Sequence, residues 1–272
     1  MVATVNPESF DTRVDEPYPR LPTGVARSIA VAVAGLSDLQ RGDLFLEVGA
    51  GSGELGIELR RLVPRYLGFD KSAAMLDRFR QRFGTVVEPA DTVDIVQADA
   101  EQIWPAPTGG VHATFGSRVF HLLTPDHLVR EVFRVSSHRG MTLMIGRVRR
   151  NSESVRSRIR EQMQRFLADE GIEGKSSGQS TKRLIERCMG QGATHIAPRT
   201  VARWSVVRSP VQSIDSWTNK SGLAGVPVPI EAKRRVLARL RAWAEMEFGG
   251  MTSPFSSVEE YIVEGVRLQP RS

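Results

Sequence analysis

Apolar residues in this chain follow two rhythms. Short, nearly continuous runs recur at Leu44–Val48, Tyr66–Phe69, Val93–Val96, Gly110–Ser117 and Gly140–Ile145, and again at Val201–Val207 and Tyr261–Val266. Such runs, bounded by Gly, Pro and Asp, predict buried strands. Between them the spacing changes to that of a helix with one apolar face. Residues 24–38 carry Val25, Ile29, Val31, Val33 and Leu36, and Leu55 and Leu59 lie four apart. Pro125–Arg134 turns Leu128, Val132 and Phe133 inward, and Glu231–Phe248 does the same with Val236, Leu237, Leu240, Trp243 and Ala244. Alternation of strand and helix predicts an α/β fold with a doubly wound, mostly parallel sheet. Right-handed crossovers then leave a ligand crevice at the carboxyl ends of the strands.

Five strands are complete by residue 147. Residues 1–40 read as an arm and a helix, and 41–147 as a binding core. Residues 148–200 are expected to insert helices as a lid. One carries Val155, Ile159, Met163, Phe166 and Leu167, a second spans Thr181–Met189, and Gly171–Ser180 is a flexible link between them. A lid excludes water and shapes a pocket. Residues 201–272 return to the sheet with two more strands, a helix from Ser209 to Trp217 and a long basic helix.

Composition narrows the picture further. At 272 residues and 40% hydrophobic content, one large domain or a domain with a lid is expected. The single cysteine, Cys188, allows no internal disulfide and fits a reducing, cytoplasmic setting. The first twenty residues are polar and acidic, unlike a signal peptide, and no apolar run reaches membrane-spanning length. Net charge is +6, and residues 151–272 hold 19 of the 37 basic and 13 of the 31 acidic residues, so the whole excess lies there. Solvated helix faces, an anionic substrate or RNA would each account for it. The histidines show no metal-ligand spacing with acidic partners, so no metal is expected.

The chemistry concentrates in Asp43–Leu59, DLFLEVGAGSGELGIEL. A strand leads into Gly49, Gly51 and Gly53 and then into a helix expected to open at Glu54. Glycines let such a turn adopt unusual dihedrals and bring backbone against a ligand. A dinucleotide fingerprint would place glycine where Glu54 stands, and a carboxylate there repels a pyrophosphate. Glu47 adds a second negative charge, so the turn suits a ligand with a cationic end. Asp70 closes the second strand, where a carboxylate can accept from ribose hydroxyls or cap the next helix.

The pattern E-x-G-x-G-x-G resembles motif I of class I S-adenosylmethionine-dependent methyltransferases. Phe69-Asp70-Lys71-Ser72 with Met75-Leu76, then Ala98-Asp99-Ala100, resemble that family's next two markers, and Ser117–Leu123 resembles its S-x-x-x-H-x-L exit from the fourth strand. Phe10-Asp11, Tyr18 and Arg20–Pro22 loosely resemble its lead-in, with Pro19 where Asp is usual, and Val111-His112 replaces the usual Asp in the fourth strand. The resemblance implies a Rossmann-like seven-stranded sheet whose last strand is antiparallel. It implies S-adenosylmethionine as cofactor, held by Glu47, Gly49, Ala50, Gly51, Asp70, Lys71, Met75, Asp99, Ala100 and Ser117. In it Glu47 orients the ammonium group, and Asp99 accepts from the adenine amino group. His121 would be the general base or a structural histidine that shapes the pocket, and Tyr18 would lie over the cofactor.

The implied reaction is methyl transfer to an O, N or C nucleophile of a small molecule, an anionic one among the options. Arg147, Arg149 and Arg150 would meet such an anion, or only solvent. An RNA methyltransferase using the basic C-terminal half is the main alternative, and a catalytically silent cofactor-binding module is a third. A homodimer is compatible with the sequence.

Overall fold

The computed structural model describes residues 21–22, 24–83, 93–174, 179–220 and 222–270. In order, the elements are α1 (Val25–Ser37), β1 (Leu44–Val48), α2 (Gly56–Leu59), β2 (Arg65–Asp70), α3 (Ala73–Phe83) and β3 (Val93–Gln97). Then come β4 (Ala113–Ser117), α4 (Pro125–Val135), β5 (Met141–Arg150), α5 (Val155–Asp169), α6 (Gln179–Gly190) and β6 (Thr194–Arg208). The chain closes with α7 (Pro210–Thr218), β7 (Gly222–Leu223), β8 (Val226–Pro227), α8 (Ile230–Phe248) and β9 (Phe255–Leu268).

Seven strands form one sheet in the order β3-β2-β1-β4-β5-β9-β6. β1 pairs in parallel with β2 on one side (Leu46 opposite Leu67) and β4 on the other (Leu46 opposite Thr114). All five residues of β1 are buried, which is why its sequence runs apolar on both faces with Glu47 as the exception. The chain winds outward from β1 through β2 and β3, then returns and winds the other way from β4. The switch point therefore lies between β1 and β4, where ligand crevices of open α/β sheets form.

β9 is antiparallel, as its partners make plain. Arg147 Nε reaches Glu264 at 2.8 Å and Arg150 Nε reaches Glu259 at 2.8 Å, so residue numbers rise along β5 as they fall along β9. β5, β6 and β9 all extend beyond the apolar runs that announced them. The added residues of β5 and β9 include Arg149, Arg150, Glu259 and Glu260, and Glu260 binds both Arg149 (2.7 Å) and Arg203 of β6 (2.6 Å). Cross-strand ion pairs hold these polar ends, and no hydrophobic pattern could reveal them. β7 and β8 form a hairpin around Ala224 and Gly225, both at positive φ, as a two-residue turn of this kind requires.

The chain divides into two compact units, residues up to 148 with 178–202 and 261 onward, and residues 149–177 with 203–260. The core of the first holds Leu44, Leu46, Val48, Phe69, Trp104 and Phe120. That of the second brings Val155, Ile159, Met163 and Leu167 of α5 against Val236, Leu240 and Ala244 of α8. Within 148–200, then, α5 lies in the second unit and α6 in the first, where Leu184, Ile185 and Cys188 join the core. Helical spacing shows that a helix has an apolar face but not which core that face completes. Cys188 is fully buried, and burial pushes its thiol up to about 11, as for a small packing residue.

Among the described residues, no helix is long and apolar enough to cross a membrane.

Candidate active site

The site grows from the carboxyl end of β1. Gly49, Gly51 and Gly53 all have positive φ, at 68°, 54° and 74°, so each occupies backbone space that side chains disfavour. The turn is pinned by the Ala50 N–H to Phe69 O (3.0 Å) and the Gly53 N–H to Ala50 O (3.1 Å). Space adds its own demand. A Cβ on Gly49 would lie 2.7 Å from Val119 Cγ2, and one on Gly53 would run into the Phe79 ring. Over Gly51 the nearest atoms would be Met75 Cε at 3.6 Å and Asp70 Oδ2 at 4.0 Å, which leaves that backbone open to a ligand.

The expected helix opening at Glu54 is a correction. α2 is one turn, Gly56–Leu59. Pro64 explains its brevity: a proline ring clashes with the carbonyl four residues back, here Arg60, and biases Val63 away from helix. Glu54 instead accepts the Leu21 N–H at 2.6 Å, which ties the approach to α1 to the glycine turn.

Glu47 lies beneath the turn, only 2% exposed, and accepts a short hydrogen bond from the Tyr66 hydroxyl. Burial, opposed by that bond and reinforced by the Asp70 charge, raises its carboxyl to about 8. Tyr66 is itself raised, first by burial and then by Glu47, so it stays a neutral donor. Gly56 makes this arrangement possible, because a Cβ there would lie 2.5 Å from Tyr66 Oη and 2.9 Å from Glu47 Oε2. Neither Tyr66 nor Gly56 stood out in the sequence as a site residue, since each has an ordinary place in a strand or helix.

Asp70 accepts the Gly51 N–H on Oδ2 (3.0 Å) and the Ser72 N–H on Oδ1 (2.9 Å). Its pKa is raised by burial, with backbone donors at Ser72, Gly51 and Lys71 and the Lys71 charge working against the shift. Ser72, not Asp70, caps α3, its hydroxyl taking the Met75 N–H at 3.3 Å. Lys71 follows directly, half-buried. Ala98 N–H reaches Asp70 O at 3.1 Å and so brings the β3 exit alongside. There Asp99 is exposed, with Oδ1 taking the Glu101 N–H at 2.9 Å, and Ala100 is buried.

On the other side of the switch point, Ser117 Oγ and buried Tyr261 Oη are 2.5 Å apart. Arg118 follows with φ 58°, an uncommon conformation for a residue with a Cβ, at the point where Val119 packs on Gly49. Strain of that kind clusters at ligand sites, and nothing in the sequence marks it. Phe120–Leu122 forms one 3-10 turn that buries Phe120 and exposes His121. Tyr18, and the lead-in up to Arg20, lie outside the described residues.

Thus Glu47, Gly49, Ala50, Gly51, Asp70, Lys71 and Met75 meet around one turn, with Asp99–Ala100 just past the end of β3 and Ser117 at the end of β4. Residues 45–140 match the family described as methyltransferase domain. This stretch is therefore similar to a methyltransferase domain. No curated protein matches it in sequence. Among solved structures, a candidate methyltransferase from Bacillus halodurans is 17% identical with a TM-score of 0.55, over 90% of this chain and all of that one. A candidate type II methyltransferase from Anaeromyxobacter dehalogenans is 15% identical, with a TM-score of 0.54 over 93% and 99%. Geranyl diphosphate C-methyltransferase from Streptomyces coelicolor, solved with Mg2+, geranyl diphosphate and S-adenosyl-L-homocysteine, is 12% identical, with a TM-score of 0.50 over 90% and 77%. At these identities the likeness is one of fold. The cofactor of methyltransferase domains of this class is S-adenosylmethionine. The open backbone at Gly51, with acidic side chains below and beside it, fits a ligand carrying an ammonium group and a ribose. Among the described residues, no group of three or more His, Cys, Asp or Glu is placed to hold a metal ion.

Proposed function

We propose that the chain transfers a methyl group from S-adenosylmethionine to a small-molecule acceptor. The observation that carries this reading is the turn itself: open backbone at Gly51, Glu47 beneath it and Asp70 beside it. The cofactor supplies a methyl carbon made electrophilic by a sulfonium. The protein's task is to hold that carbon in line with the acceptor, and positioning of this kind contributes roughly 7–11 kcal/mol. In this reading Asp70 accepts from the ribose hydroxyls, its oxygens keeping lone pairs beyond the backbone bonds. Glu47 faces the ammonium end, and Asp99 and Ala100 meet the adenine. His121, solvent-exposed at the exit of β4, takes a proton from a hydroxyl acceptor in this reading. An acceptor already deprotonated would not need it.

The RNA reading rests on the basic C-terminal half, and the densest basic run of that half, in α8, is occupied within its own unit. Arg235 binds Glu170 (2.6 Å), Arg239 binds Asp169 (2.6 Å) and lies over the Phe166 ring, and Arg241 binds Asp215 (2.6 Å). Arg234 pairs with Glu231 at 2.9 Å. Lys233 is buried, and its ammonium donates to the Thr218 carbonyl at the end of α7, a favourable place for a cation. A helix so neutralised offers little field to a polyanion.

A screen of small acceptors with labelled cofactor tests the proposal. Release of S-adenosylhomocysteine with at least one acceptor is expected. Tight NAD binding with no response to S-adenosylhomocysteine would sink it.

A further inference from the structure

The second unit neutralises its arginines one by one, except in one corner. Arg149, Arg158, Arg235, Arg239 and Arg241 each have a carboxylate partner. Around Arg156, in the first turn of α5, the balance differs. Its guanidinium donates to Ser216 Oγ at 3.1 Å and sits 5.1 Å from the centre of the Trp217 ring. Arg150, Arg208 and Arg160 lie close enough for their charges to act on it, and Glu259 is the carboxylate acting in the opposite sense. Burial first, then these neighbours, pushes Arg156 down to about 10. Glu259 is already bound to Arg150 Nε at 2.8 Å. Arg208 ends β6 with its Nε buried and without a hydrogen-bond partner among the described residues.

Three guanidinium charges act on Arg156 against a single carboxylate, and that carboxylate is already held by Arg150, so folding gains nothing from the crowd. A buried donor without an acceptor adds to the cost. Groups placed against stability in this way are characteristic of ligand sites, where the ligand supplies the missing charge. Arginine is the side chain suited to the role, because its planar fork of donors matches phosphate and carboxylate oxygens. Trp217 beneath Arg156 and Ser216 beside it fix one fork in place.

We infer that Arg150, Arg156, Arg160 and Arg208 form a binding site for a polyvalent oxyanion, the phosphate or carboxylate end of an organic ligand. The site lies wholly within the second unit and does not rest on the methyl-transfer reading.

Calorimetric titration of the full chain with pyrophosphate, inorganic phosphate and citrate, at ionic strength held constant with chloride, tests this. Saturable binding is expected, and Arg208→Gln should weaken it about tenfold or more. Pyrophosphate or phosphate binding more tightly than citrate assigns a phosphate end, and the reverse order a carboxylate. Arg156→Gln should act similarly, while Arg241→Gln, on a paired surface arginine, should leave binding unchanged. Melting without anion supplies a second readout. Arg208→Gln should melt at the wild-type temperature or above it, because a repulsion is relieved. Absence of saturable binding by all three anions overturns the assignment. So does an Arg208→Gln protein that melts lower than wild type yet binds anion equally well, since the cluster would then serve only the fold.

Discussion

The Glu47–Tyr66 pair makes stability depend on pH in a direction opposite to that of a salt-bridged carboxylate. Unfolded, Glu47 ionises near 4.5, whereas folded it holds its proton to about 8. Between those values the folded state binds more protons than the unfolded one, so stability falls as pH rises. The slope approaches about 1.4 kcal/mol per pH unit, and across the window it accumulates to roughly 5 kcal/mol as an order of magnitude. Below 4.5 the group is neutral in both states and contributes nothing. Above 8 the whole penalty is present. Glu47→Gln keeps the shape and stays neutral, and its amide oxygen can still accept from Tyr66. The variant should match wild type in urea melts at pH 5 and exceed it by several kcal/mol at pH 9. Cofactor binding supplies an independent check. If Glu47 must ionise to face the ammonium group, binding at pH 7 should release close to one proton. Calorimetry in buffers of different ionisation enthalpy measures that number. Parallel pH–stability curves for wild type and Glu47→Gln would refute the raised pKa. Binding without proton release would remove Glu47 from the ammonium.

Other substitutions probe the remaining parts of the site. Asp70→Ala should weaken S-adenosylhomocysteine binding by about tenfold to a hundredfold in titration calorimetry, since a hydrogen bond to a charged group contributes roughly 1.5–3 kcal/mol; unchanged affinity in a folded variant removes the ribose role. Gly53→Ala should lower stability by about 2–4 kcal/mol, from overpacking on Phe79 and a left-handed backbone. Adding Phe79→Leu should restore part of that loss in the same denaturation curve. His121→Ala should cut turnover by roughly 10²–10⁴-fold if the imidazole is a base, with cofactor affinity nearly intact. A smaller loss confined to KM would assign it to pocket shape.

The parallel half of the sheet was legible because its strands are buried on both faces and its turns need glycine. Leu44–Val48, the three glycines and Asp70 each carry a constraint that few residue types satisfy. The antiparallel end was legible only in part. β5 and β9 continue past their apolar segments on Arg149, Arg150, Glu259 and Glu260, which read alone as surface charge. The brevity of α2 was encoded in Pro64 but outweighed by the periodicity of Leu55 and Leu59. Tyr66 and Arg118 could not be found from sequence at all. One acts through a hydrogen bond between neighbouring strands, the other through a backbone angle.

Gly56 separates two demands that a glycine-rich motif confounds. Gly51 answers to backbone angle alone, Gly49 and Gly53 to angle and volume together, whereas Gly56 sits in an ordinary helical turn and answers to volume. Phe79, Tyr66 and Glu47 all converge on the place its side chain would fill. Among diverging descendants of this sequence, position 56 should therefore change only in concert with 66 or 79. A larger residue at 56 would be tolerated where an aromatic ring opposite has shrunk, and that compensation would show as covariation between distant columns of an alignment. Gly51, whose neighbourhood is open, should show no such partner, and its variation would be read against the ligand instead.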